Sequence, residues 1–196
     1  MMGGDIVEFK CLQLEQVVRA HLGIFSRSIT KEDMLGLNAL IQEAPPFPPV
    51  ASLEGLEYAT NLQGLVLPNN EIQDLSPLSC LTKLEEIDLS GNEISDLLPL
   101  AKLTKVKALV LTKNQITDVS PLEDLLCLAW LFLAFNEIQD PSPLESLPNL
   151  QGLYLSGNPF CGDLDLAYDI HLESEHGVEV EEDISGLLEL NWLGLL

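Results

Sequence analysis

Positive charge is scarce in this chain: 9 Lys and Arg stand against 31 Asp and Glu in 196 residues, a formal net charge of −22. Such a surface repels nucleic-acid phosphates and anionic lipid, which disfavours DNA, RNA and membrane-surface binding while permitting a basic partner. Long apolar runs are also missing. The most apolar stretch, ISGLLELNWLGLL at 184–196, is far short of the ~20 residues that cross a bilayer, so no membrane insertion is expected. The opening MMGGDIVEFK has no basic start followed by an apolar run and a small-residue cleavage site. No secretory signal is read there, and the chain as it stands fits the cytoplasm. Cys-x-x-Cys is absent, and Cys11, Cys80, Cys127 and Cys161 are scattered. Neither a zinc site nor a thioredoxin-like motif is supported, and free, mostly buried thiols in a reducing compartment are expected. Nor is there a G-x-S-x-G, a phosphate-cradling glycine loop or a dinucleotide fingerprint, and His21, His171 and His176 lack the i, i+4 spacing of a metal-binding helix. An enzyme, a cofactor and a metal site are all unexpected.

What the chain has is a ladder. Asn70, Asn92, Asn114, Asn136 and Asn158 follow one another at a constant step of 22 residues. Apolar residues keep the same step, at Leu62/Leu84/Val106/Leu128/Leu150, Leu65/Ile87/Leu109/Leu131/Leu153, Leu67/Leu89/Leu111/Leu133/Leu155 and Ile72/Ile94/Ile116/Ile138/Phe160. The unit is L-x-x-L-x-L-x-x-N-x-I, a leucine-rich repeat. A unit this short cannot bury its apolar face alone, so the core exists only where neighbours stack, and the chain is predicted to be a solenoid. The alternation x-L-x-L-x turns one face of a short strand inward and the other outward. The asparagines follow the strand, where the chain turns and buries backbone groups, and an inward amide carries both donors and an acceptor to satisfy them. They are read as structural.

A second set of columns, Asp74/Asp96/Asp118/Asp140, Pro77/Pro99/Pro121/Pro143 and Leu78/Leu100/Leu122/Leu144, describes the return path. Asp bonds nearby N–H groups at turns and Pro presets a compact dihedral, so the convex side is predicted to be a tight turn or short 3₁₀ piece. The Asp column caps turns; one oxygen per repeat is a poor cage for a hard cation.

With N-x-I-x-D before them, DLSPL at 74–78 and DVSPL at 118–122 make the chain resemble the 22-residue repeat subclass of bacterial internalin-like proteins. ITKEDMLGL at 29–37 and LEGLEYATNL at 53–62 resemble the capping segment and degenerate first repeat of that group. Pro48 falls at the asparagine register and PPFPP at 45–49 replaces a strand-like stretch, so no regular strand is expected there. The resemblance implies a curved repeat domain whose concave face binds another protein. It also implies export or a cell-surface place in many relatives, against which the missing signal and wall-sorting motif stand.

The predicted fold is therefore an α/β solenoid, a right-handed leucine-rich repeat arc with a parallel concave sheet, a short-turn convex side and helical caps at both ends. One domain is read over 1–196: a helical N-cap at 1–40, a degenerate first repeat at 41–61, regular repeats at 62–160, and a C-cap with apolar tail at 161–196. In the N-cap, Leu14, Val17, Val18 and Leu22 share a helical face closed by Gly23, and Thr30-Lys31-Glu32-Asp33 reads as a capping box. Residues 163–177 read as a C-terminal cap helix and VEV at 178–180 as a last strand; the tail 184–196 folds back or self-associates.

The outward side of the sheet follows from the register: Gly64, Val66 and Pro68; Glu86, Asp88 and Ser90; Ala108, Val110 and Thr112; Trp130, Phe132 and Ala134; Gly152, Tyr154 and Ser156. Trp130, Phe132, Tyr154 and Val110 then form an apolar patch on three neighbouring coils, Phe135 extends it at one rim, and Glu86 and Asp88 flank it. Such a patch is expected to bind a partner protein, with the acidic pair selecting Lys or Arg beside an apolar group. Cross-strand covering of the sheet is the plainer use of the same residues. Two other functions stay open: an intracellular scaffold similar to the eukaryotic regulator of type-one protein phosphatase, and a self-associating structural module.

Overall fold

The computed structural model describes residues 5–42 and 48–159. Six three-residue strands form one all-parallel sheet in sequence order: β1 (Ala39–Ile41), β2 (Gly64–Val66), β3 (Glu86–Asp88), β4 (Ala108–Val110), β5 (Trp130–Phe132) and β6 (Gly152–Tyr154). Each strand pairs only with the preceding and following coil, as the constant step requires, with Leu65↔Ile87, Ile87↔Leu109 and Leu109↔Leu131 at the centres. Those central side chains are at most 1% exposed and belong to one apolar core running the length of the stack. The sheet does not close, and the molecule is a leucine-rich repeat solenoid arc.

Chain direction reverses on the convex side through 3₁₀ turns at Ser76–Leu78, Leu98–Leu100, Ser120–Leu122 and Ser142–Ser146. The Asp column builds them. Asp74, Asp96, Asp118 and Asp140 each accept the backbone N–H two residues on, at 2.8–3.0 Å. Between strand and turn, each ladder asparagine stitches two coils. Asn114 Oδ1 accepts the Ile94 N–H at 3.0 Å, and its Nδ2 donates to Leu89 and Leu111 carbonyls, both at 3.0 Å. Asn92, Asn136 and Asn158 repeat this three-way bond, each reaching one carbonyl of its own coil and one of the coil before.

The first coil differs from the sequence reading. Leu40 pairs with Leu65, so the step is 25 residues instead of 22, and a strand lies at Ala39–Ile41, across the border drawn between cap and first repeat. Pro48 holds the asparagine register without a ladder amide. In compensation, the buried Gln42 offers its side-chain carbonyl to Asn70 Nδ2 at 3.0 Å, while the Val50 N–H donates to Asn70 Oδ1 at 2.8 Å.

At the open N-terminal edge lie α1 (Leu12–Leu22) and α2 (Lys31–Met34). Leu14 and Val18 are buried, Val17 and Leu22 pack against the core, and Gly23 ends α1 at φ 66°. The capping box is present, with the Asp33 N–H on Thr30 Oγ1 at 3.2 Å and the Thr30 N–H on Asp33 Oδ2 at 2.8 Å. The Arg27 guanidinium beside Asp33, helped by Thr30, holds its carboxyl well below the usual carboxylate range. His21 finishes the edge: its Nε2 accepts the Ile41 N–H at 3.1 Å, which fixes the proton on Nδ1, facing the Val17 carbonyl at 2.9 Å.

Contrary to the expectation of mostly buried thiols, Cys80 and Cys127 are exposed, and Cys11 is the one buried thiol among the described residues. Both exposed thiols sit in variable positions of the convex return, which are exposed in each of the regular repeats. Phe160, Cys161, His171, His176, the helix read at 163–177, the strand at 178–180 and the tail at 184–196 lie outside the described residues. Among the described residues, no helix is long and apolar enough to cross a membrane.

Candidate functional site

The hollow of the arc is lined by the strand residues that alternate away from the core. Three rows cross the strands: Gly64, Glu86, Ala108, Trp130, Gly152; Val66, Asp88, Val110, Phe132, Tyr154; and, just past the strands, Pro68, Ser90, Thr112, Ala134, Ser156. Parallel strands lie about 4.8 Å apart, so successive members of a row are neighbours.

Phe132 and Tyr154 stack face to face, with ring centroids 4.4 Å apart and planes 4° from parallel. Trp130 lies over Gly152: a Cβ there would sit 2.5 Å from the indole, so only glycine leaves the ring its place. The aromatics thus hold one another in position. The structure also divides the expected patch. Trp130 and Tyr154 are half-buried, but Val110 is fully buried between Asp88 and Phe132 in its row, and Phe132 is only 5% exposed. Alternation placed both on the outward face; it says nothing of how far large neighbours wall a side chain in. Among the aromatic residues, the ring surface left open to solvent is therefore that of Trp130, Tyr154 and Phe135.

Phe135 is half-exposed, at 51%, and its backbone is left-handed at φ 56°. Its column is left-handed throughout the repeats, with Asn69 at 56°, Gly91 at 65°, Lys113 at 57° and Gly157 at 73°. Gly and Asn suit that turn, whereas a residue such as Phe or Lys spends about 1–2 kcal/mol to adopt it. The Phe135 ring lies across Gly157, where a Cβ would approach it to 2.6 Å.

The acidic neighbours are drawn out of water. Asp88 is 6% exposed; burial pushes its carboxyl above the ordinary range, against hydrogen bonds from Ser90, whose N–H donates at 2.9 Å. Glu86 is raised by burial and then by the charge of Glu85, with Lys107 opposing. Lys107 itself is tied to Glu85 at 2.6 Å. Glu86 Oε2 and Thr112 Oγ1 are buried without a hydrogen-bond partner. Thr112 did not stand out in the sequence, where it is one polar residue in a row of Ser, Thr and Ala.

Among the described residues, no group of three or more His, Cys, Asp or Glu is placed to hold a metal ion. The site offers rigid aromatic surface, two desolvated carboxylates and a hydroxyl.

Comparison with known proteins agrees with this form. Family profiles described as leucine-rich repeats match residues 60–102 and 128–168, with a further leucine-rich repeat profile over 102–120. Among solved structures, internalin C2 of Listeria monocytogenes is similar at 31% identity and a TM-score of 0.57, covering 79% of this chain and 78% of that one. A leucine-rich repeat protein of Leptospira interrogans matches at 30% identity and TM-score 0.54, covering 58% of this chain and 30% of its own. Internalin F of Listeria monocytogenes, at 28% identity and TM-score 0.48, covers 79% of this chain and 58% of that one. No curated protein sequence matches.

Proposed function

The chain belongs to the leucine-rich repeat proteins of internalin type, and on that premise we propose that its concave face binds a partner protein through the aromatic patch on the coils of β4, β5 and β6. Proteins of this family are in general interaction scaffolds without catalytic chemistry. The observation that carries the narrower reading is the stacked Phe132–Tyr154 pair with Trp130 seated on Gly152. These rings are ordered before any partner arrives, so little rotamer freedom is lost on docking, and Trp and Tyr dominate binding hot spots. Phe135 adds an exposed ring at the left-handed turn that follows β2 to β6 alike.

Val110 and Phe132 act beneath this surface as its floor. The test is a Trp130→Ala/Tyr154→Ala variant, with Phe132 left in place to keep the fold. The reading expects unchanged cooperative unfolding and at least a hundredfold weaker binding of a partner captured by the parent protein. Equal affinity for parent and variant refutes it.

A further inference from the structure

One corner of the hollow is polar, desolvated and incompletely bonded. Glu86 and Asp88 are successive outward residues of β3, and Thr112 lies on the same face one coil on, beside Ser90 in its row and diagonal to Asp88. Asp88 and Thr112 are 6% and 7% exposed, and Thr112 Oγ1 and Glu86 Oε2 have no partner. A buried acceptor without a donor is costly, and native structures rarely keep two on one face without a use for them. What the corner lacks is a donor with positive charge.

The neighbouring cations are placed elsewhere. Lys107, whose charge is felt at Glu86, makes its ion pair with Glu85 at 2.6 Å, and Lys83 donates to Asn61 at 2.6 Å. Lys113 is exposed at its left-handed turn, and no lysine is among the groups that act on Asp88. Residues 114–196 carry no Lys or Arg.

We propose that Glu86, Asp88 and Thr112 form a receptor for one cationic side chain, an arginine, of a partner protein whose adjoining apolar residue rests on Trp130 and Tyr154. The proposal rests on the concave-face reading and supplies the chemistry of what docks there. Guanidinium is the fitting cation: it donates from several N–H groups at once, sheds water more readily than ammonium, and its plane can stack on an aromatic ring two places along the row from Glu86. Burial raises both carboxyls in the unliganded protein, so an opposing charge restores what the hollow has taken from them.

The test uses the full chain with Trp192→Phe, so that Trp130 is the sole remaining tryptophan of the two and its emission reports the hollow. The probes are acetyl-Leu-Arg-Leu-amide, the lysine equivalent and the isosteric citrulline equivalent, which keeps the shape and loses the charge. The expected result is at least tenfold tighter binding of the arginine peptide than of the citrulline one, lysine falling between. That preference should fall below twofold in Glu86→Gln/Asp88→Asn and persist in the convex-side control Glu123→Gln/Asp124→Asn. It should also grow with pH as the raised carboxyls of Glu86 and Asp88 ionise. Equal binding of arginine and citrulline, a preference that survives Glu86→Gln/Asp88→Asn, or no response to any peptide at millimolar concentration overturns the proposal. If Trp130→Ala/Tyr154→Ala releases a natural partner while the arginine and citrulline peptides bind alike, the concave-face reading stands and the arginine receptor falls.

Discussion

The convex turns of this protein are nearly the same in every coil, and its hollow is different in every coil. Asp74, Asp96, Asp118 and Asp140 make one bond four times over, whereas the first hollow row reads Gly64, Glu86, Ala108, Trp130, Gly152. The reason is what each position touches. A turn, ladder or core residue always meets the equivalent residue of the adjacent coil, so one solution serves throughout; a hollow residue also faces whatever lies outside the arc. Repetition marks what builds the solenoid, and its breakdown marks where the molecule differs from a bare scaffold.

Substitution should separate the two sides by size of effect. Asn114→Ala strips the Ile94 N–H and the Leu89 and Leu111 carbonyls of a shared partner, and roughly 3 kcal/mol of stability should go in urea unfolding. A loss below about 1 kcal/mol would mean that water or neighbouring carbonyls replace the amide easily. Gly152→Ala comes next. Its Cβ would lie 2.5 Å from the indole, so Trp130 must move; about 1–2 kcal/mol and a shift in Trp130 emission are expected. Asp118→Ala removes one exposed turn bond and should cost about 1 kcal/mol, with partner binding unchanged.

The smallest effect carries the opposite sign. Glu86 and Asp88 have raised carboxyls, so the folded protein holds their protons more tightly than the unfolded chain does, and stability falls as pH rises from the ordinary carboxylate value through the raised one. Glu86→Gln/Asp88→Asn should therefore raise Tm at pH 7, and the gain over the parent should vanish in acid, where all these groups are neutral in both proteins. A parent whose Tm climbs over that window relative to the variant would contradict the burial of the pair. A hollow residue whose removal stabilises the fold and weakens binding is the reverse of a ladder asparagine.

Period legibility explains what could be read in advance. Strands β2 to β6, the ladder and the Asp turns follow directly from the 22-residue step, α1 from its apolar face and the closing Gly23, and α2 from its capping box. β1 was hidden because the first coil runs to 25 residues, and because Gln42 supplies by side chain what a repeat supplies from its backbone. Alternation also told which residues turn to the hollow, but not that Val110 and Phe132 are walled in there, since that depends on the size and tilt of neighbours on other strands. The register places Thr112 in the hollow but not its lack of a partner, because an unpartnered hydroxyl leaves no trace in a residue's spacing.

The central claim is that recognition belongs to the hollow and construction to the convex side. The direct test places a photoreactive benzoylphenylalanine at Tyr154 in one protein and at Leu98 in another. Leu98 is a suitable contrast, being a convex apolar residue that is 68% exposed. With the same bound partner, covalent adducts should form from position 154 and not from position 98. Adducts from position 98 alone, or equally from both, would contradict the account and move the binding surface to the convex side.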